Sequence, residues 1–357
     1  MARYKLPLLK DFKTKGDDKS SALIILKNNR GMQVALTNYG ARIVSMIVPD
    51  KTGSSVDVVL GFNNILDYLH ADELYHGATI GRYANRISNG TFELGGIPYK
   101  IEPNNGPNAL HGGKNGFHTK IWDRRINNPN QVTFYYTSPD GEEGFPGTLT
   151  VSVDYLLTDE NELQINYRAN SDKDTIINLT NHAYFNLDGE GSGSIVDHVV
   201  EIAAETFLPI NEVQIPLGEL RPVSDSAFDF RKPKRISLGI SSEDEQIQKG
   251  GGGYDHTFVL NEANKDGKKV AASAFSEKSG IMLEVLTTEP GIQFYTGNAL
   301  TGKDKGKSGN HYAKQHAFCF ETQHFPDAPN QAQFPSPLLK AKQPFRSQTI
   351  YRFHVQK

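Results

Sequence analysis

The chain has 357 residues, 37% hydrophobic and 22% charged, with a formal net charge of −3. That balance argues against a disordered or membrane-spanning chain, and its scattered Lys and Arg leave no basic footprint for nucleic acid or an anionic membrane. Cys319 is the single cysteine, which excludes an intrachain disulfide and a thiolate metal cluster.

The opening stretch MARYKLPLLKDFKTKGDD lacks an apolar core ahead of a small-residue cleavage site, so a cytoplasmic location is expected. GMQVALTNYGARIVSMIV reads as strand, and NNILDYLHADE as a short helix with Asn63 or Asn64 near its cap. TFEL and IPYKI flank Gly95 and Gly96, a hairpin turn. QVTFYYTS is a further strand. In VSVDYLL, Val151, Val153, Tyr155 and Leu157 share a face; in LQINYRA, Leu163, Ile165 and Tyr167 do the same, with Asp159, Glu160 and Asn161 as the link of a second hairpin. ISSEDEQIQKG predicts one more helical turn before the glycines at 250–253. GIMLEVLTTE, GIQFYTG and TIYRFHV are strands. HAFCFETQ puts Phe318 and Phe320 on one face and Ala317, Cys319 and Glu321 on the other, with Glu321 at the strand end, where the sheet can hold its carboxylate and still let it reach a solvent-facing cleft. Strand and helix do not alternate, which argues against a doubly wound parallel sheet. The expected fold is all-β, with residues 1–357 as a single domain of packed antiparallel sheets and few short helices.

Six segments concentrate polar, hydrogen-bonding side chains. GRYANRI carries Arg82, Asn85 and Arg86, and NALHGG carries His111. NHAYFNL carries Asn181, His182, Tyr184 and Asn186. GGGYDHTFVL carries Tyr254, Asp255 and His256. PGIQFYTGN carries Gln293, Phe294 and Tyr295, and FETQ carries Glu321. Taken singly, each also fits a structural role. The arginines suit ion pairs, His111 and Asp255 suit turns, His182 suits a satisfied core site and Gln293 an outward strand position. Together they form the inventory a sugar requires: guanidinium and amide donors, carboxylate acceptors, imidazoles, and aromatic platforms such as Tyr184 and Phe294 for C–H faces. Phosphate recognition would instead call for a glycine loop at a helix N-terminus, and neither a G-x-G-x-x-G nor a G-x-x-x-x-G-K-[ST] run is present. His316, Glu321 and His324, and likewise His111 and His118, lack H-E-x-x-H spacing, so no catalytic metal is expected. A Ser-His-Asp triad has no G-x-S-x-G elbow to support it.

GRYANRI, NALHGG, NHAYFNL, GGGYDHTFVL, PGIQFYTGN and FETQHFPDAPNQ, in this order across residues 81–331, resemble the aldose 1-epimerase (galactose mutarotase) family. LTNYGARIVSMIVPD extends the likeness toward the N-terminus and leaves about the first twenty residues outside it. Ala183 departs from the pattern, where relatives commonly carry a small hydroxyl residue. The resemblance implies a large antiparallel β-sandwich with the sugar in an open cleft, and no cofactor. It implies His182 as the acid and Glu321 as the base that interconvert α and β anomers of free aldohexoses. It implies sugar contacts from Asn85, Arg86, His111, Tyr184, Asp255 and Gln293. The expected partner is a small monosaccharide, with a monomer as the default state. A glycoside hydrolase using Asp255 and Glu321, a non-catalytic carbohydrate-binding protein and a phosphosugar epimerase on the same fold are the competing readings.

Overall fold

The structure, a computed structural model, describes residues 6–14, 20–261 and 267–356. Strand outweighs helix, 43% against 9%, as the alternating runs require. Nine strands form the largest sheet, in the spatial order Asp123–Asn128, Gln131–Ser138, Leu149–Leu157, Glu162–Ser171, Phe345–Val355, Ile281–Thr287, Val270–Phe275, Val199–Ile202 and Lys234–Arg235. Neighbours run antiparallel throughout. The two predicted hairpins form: Leu149–Leu157 pairs with Glu162–Ser171, and Thr91–Leu94 with Ile97–Lys100. Period-2 burial follows the sequence, since Val151, Val153, Tyr155, Leu157, Leu163, Ile165 and Tyr167 are all buried. The run at 31–48 forms two strands, Gln33–Thr37 and Arg42–Pro49, in a separate four-stranded sheet. Asn64 caps the short helix Ile65–Leu69 through its side chain, and Asp244 caps Glu245–Lys249.

A second sheet positions the chemistry. Its five strands are Arg221–Pro222, Ala204–Phe207, Asp255–Leu260, Gly291–Tyr295 and Cys319–Gln323. Register places Thr257 beside Gln293 beside Glu321, and Asp255 beside Tyr295 beside Cys319. These six residues therefore share one face. The opposite face carries His256, Phe258, Ile292, Phe294 and Phe320, packed into the main core with Phe228, Phe230 and Phe318. Ring centroids there lie 4.6–6.4 Å apart. Each such phenylalanine removed from water contributes about 1.5–3 kcal/mol, so the polar face is backed by a wall that cannot give way cheaply. Glu321 sits in the middle of the strand Cys319–Gln323 rather than at its end, 2% exposed and lining a cleft. The sheet fixes it, and the pocket beside it supplies the only opening it needs.

Candidate active site

The remaining site residues come from segments that close over this face. Thr180–Asn181 pairs with Thr79–Ile80, and the backbone of His182 continues the tie, donating to Ala78 O and accepting from Gly77 N, both at 2.9 Å. Arg86–Ile87 pairs with Ala109–Leu110, which sets Arg86 opposite Leu110 and delivers His111 next to Asn85. Gly112, at φ +82°, lies so close to Gly81 that a Cβ would stand 2.1 Å from the Gly81 carbonyl oxygen. Only glycine allows that approach, and it holds the His111 turn against the GRYANRI segment. The tail of the ETQHFPDAPNQ stretch is a brace: Asp327 N donates to Arg86 O at 2.8 Å, and Asp327 Oδ1 accepts from Ser88 N at 2.9 Å.

A cleft of about 450 Å³ results, lined by every side chain proposed from sequence for catalysis or sugar contact except Gln293, which supports the floor from beneath Asp255. His182 Nε2 stands 3.6 Å from Glu321 Oε1. The His182 ring is sandwiched between Tyr75, at 5.7 Å and 23°, and Tyr184, at 4.9 Å and 29°, with the His111 ring edge-on at 5.2 Å. His111 Nδ1 accepts from the backbone N–H of Asn85 at 3.1 Å, so the neutral ring carries its proton on Nε2. Gln293 Nε2 donates to Asp255 Oδ1 at 2.7 Å, and Gln293 Oε1 accepts from Thr257 at 2.5 Å. Glu321 Oε2 has no hydrogen-bond partner.

Burial dominates the proton affinities. It drives His182 down from its ordinary 6.5 to about 3, and His111 well below that ordinary value, with His182 and Arg86 nearby adding to the effect on His111. Burial thus favours a neutral His182 in the free protein, although Glu321 Oε1 stands only 3.6 Å from its Nε2. Two stacked tyrosines exclude the water an imidazolium needs, and their ring faces return only about 0.5–2 kcal/mol as cation–π attraction. Burial pushes Glu321 well above the usual carboxylate range; Asp255 and Glu73 push it further, and Arg86 opposes. Asp255 is raised by burial too, against the pull of Arg86 and the amides of Gln293 and Gln214.

Several named residues serve elsewhere. Arg82 is buried away from the cleft, donating to the carbonyls of Pro146 and Gly147 at 2.8 Å and to Ser138 Oγ at 2.6 Å. Phe294 lies in the core, so it is no platform; alternation gives that place to Tyr295. His256 hydrogen-bonds Gln246 on the core side, Asn181 and Asn186 hold backbone carbonyls, and His324 pairs with Glu289 at 2.6 Å. Cys319 does more than fill space, since its Sγ is 3.6 Å from His182 Nδ1. Glu73, Tyr75 and Gln214 line the cleft without having been singled out from sequence. Ligand atoms of His111, His182 and Glu321 lie within 4.8 Å of one another, a grouping that could also receive a metal ion. A metal at His111 Nε2 would have to displace the proton that the Asn85 contact fixes there.

The aldose 1-epimerase family model matches residues 22–352. The chain is 47% identical to a galactose mutarotase of Bos taurus over 324 residues, 91% of this chain and 92% of that protein. It is 40% identical to an aldose 1-epimerase of Escherichia coli over 339 residues, 94% and 96% of the two. Among solved structures it is similar to an aldose epimerase homologue from C. elegans, with TM-score 0.86 and 32% identity over 94% of this chain and 100% of the other. A galactose 1-epimerase from Lactobacillus acidophilus superposes with TM-score 0.83 at 30% identity, covering 97% and 98%.

Proposed function

The chain belongs to the aldose 1-epimerase family, and from that premise we propose that it is a mutarotase interconverting the α and β anomers of free aldohexoses such as galactose or glucose. One observation carries the assignment of its machinery: an imidazole and a carboxylate from strands distant in sequence, 3.6 Å apart, open onto a cleft lined by amides, carboxylates and tyrosines.

Anomer exchange needs the ring opened and closed again. A base takes the proton of the C1 hydroxyl while an acid protonates the ring oxygen; rotation about C1–C2 and the reverse transfers complete the exchange. Glu321 is the base and His182 the acid of the opening step, and microscopic reversibility swaps them on closure. The proton count favours this pair. After opening, Glu321 holds the proton and His182 is neutral, and burial stabilises that uncharged pair. The closed-ring complex needs one proton on the pair as well, carried by His182. Opening therefore couples two transfers, from the C1 hydroxyl to Glu321 and from His182 to the ring oxygen, and the pair holds one proton throughout, with none drawn from solvent. His111, a neutral donor through Nε2, supports the oxygen that gains or loses charge. Asn85, Arg86 and Asp255 hold the other hydroxyls, Gln293 steadies Asp255 from beneath, and Tyr184 offers a flat apolar face.

The rivals fare worse on charge. A phosphosugar would meet Glu73, Glu212, Asp255 and Glu321 with only Arg86 and Lys249 to offset them, and Lys249 already faces Glu212 at 3.4 Å. A non-catalytic sugar binder has no use for a carboxylate left without a hydrogen bond. One core cluster draws on residues from Ile24 to Phe353, which supports a single domain. Among the described residues no helix is long and apolar enough to cross a membrane, and the single cysteine is buried. The test is freshly dissolved α-D-galactose followed by optical rotation. Protein should speed the approach to equilibrium, with no release of aglycone from an aryl galactoside; an unchanged rate would overturn the assignment.

A further inference from the structure

The turn at 211–216 enters the cleft and is built not to move. Gln246 clamps Ile210 from both sides, accepting from its N–H at 2.7 Å and donating to its carbonyl at 3.1 Å. Asn211 Oδ1 accepts from the backbone N–H of Val213 and of Ile215, each at 3.0 Å, and Asn108 Nδ2 donates to Val213 O at 2.9 Å. At its tip Gln214 adopts φ +60°, a left-handed conformation uncommon for a non-glycine residue. The result is an amide wedged into an ion pair. Gln214 Oε1 accepts from Arg86 Nη2, and Gln214 Nε2 donates to Asp255 Oδ2 at 2.9 Å. Arg86 Nη1 and Asp255 Oδ2 are left 3.8 Å apart, well beyond the about 2.7–2.9 Å of a direct charge-assisted bond.

We propose that Gln214 is a specificity-determining residue that contacts one sugar hydroxyl directly and keeps Arg86 and Asp255 apart to receive it. A primary amide has two N–H donors and two acceptor sites. Here one of each is spent on Asp255 and Arg86, and one of each remains on a side chain that lines the cleft. A sugar hydroxyl also donates once and accepts, so it matches that remainder. An apolar residue at 214 could neither bridge the pair nor greet the hydroxyl, and Arg86 would close onto Asp255.

The inference rests on the mutarotase reading, so the experiment separates the two. Wild-type protein and Gln214→Leu are assayed by polarimetry on D-galactose and on its 2-, 3-, 4- and 6-deoxy analogues. Gln214→Leu is expected to raise KM for galactose about tenfold, equivalent to about 1.4 kcal/mol, with kcat within about threefold. For one deoxy analogue, the one lacking the contacted hydroxyl, wild type and variant should have the same KM. Gln214→Glu keeps the reach toward Arg86 but loses the donor toward Asp255, and should raise KM at least as much; a thermal melt checks that both variants fold. The proposal fails if KM for galactose stays within twofold, or if the variant loses the same factor on every analogue, which would make the amide a prop for Arg86 alone. If wild-type protein accelerates none of these sugars, the mutarotase reading is what fails.

Discussion

Replacing Glu321 with glutamine separates catalysis from stability. The side chain is almost fully buried, its Oε2 has no partner, and its nearest titratable neighbour is His182 at 3.6 Å. Glutamine keeps the shape and loses the base, so kcat/KM should fall by about 10²–10⁴-fold, equivalent to about 3–5 kcal/mol of barrier. Stability should move the other way. The folded-state pKa of Glu321 is raised above its unfolded value, so the ionised carboxylate destabilises the fold, and that cost appears as pH rises through the folded-state pKa. Glu321→Gln should therefore melt at or above the wild-type temperature at pH 8, and the gap should close as pH falls toward the ordinary carboxylate range. Anomeric proton NMR on fresh α-D-galactose gives the rate, and a thermal melt across pH gives the stability. Wild-type turnover in the variant would refute the base assignment; a large loss of stability at pH 8 would refute the electrostatic account of the buried carboxylate.

If Glu321 is the base and His182 the acid, the singly protonated pair is the working form, and kcat/KM should have a broad plateau. Its acid limb should lie well below the ordinary histidine value, where His182 takes a second proton, and its alkaline limb well above the usual carboxylate range, where Glu321 gives up the last one; an acid limb centred near 6.5 would contradict the burial of His182. Asp255→Asn should raise KM more than it lowers kcat, because Asp255 gathers Gln293, Gln214 and Arg86 around a hydroxyl site and moves no proton; steady-state polarimetry showing a pure kcat loss would refute that role. Arg82→Ala should cost about 3–5 kcal/mol of stability in urea unfolding, since it leaves two buried carbonyls and Ser138 without their donor, while KM of the remaining folded protein is unchanged.

Strand alternation was the most legible layer. Val151 to Leu157 and Leu163 to Tyr167 show their buried faces in a two-residue period, and the same period carries the site: once Gln293 and Glu321 point into the cleft, Tyr295 must follow and Phe294 must face the core. Applied consistently, it would have named the right platform. The His182–Glu321 meeting was legible only through resemblance, because the two are 139 positions apart and nothing local says that the Cys319–Gln323 strand abuts the segment after Asn181. Glu73, Tyr75 and Gln214 escaped notice because they sit in turns without periodicity, where long-range register alone decides what points inward. The lowered proton affinity of His182 was not legible for a related reason. Its sequence neighbours show a possible partner, but the tyrosine sandwich that removes water is a tertiary feature.

The central claim is that His182 and Glu321 act together on one bound sugar. A double-mutant cycle on kcat/KM for α-D-galactose, comparing His182→Asn, Glu321→Gln and the combined variant, tests it most directly. If the two pass one proton through the same sugar, each single change should cost about 10²–10⁴-fold, and the combined variant should be no more than about threefold slower than the worse single one. Losses that multiply in full would mean that the two groups work independently, and the account would be wrong.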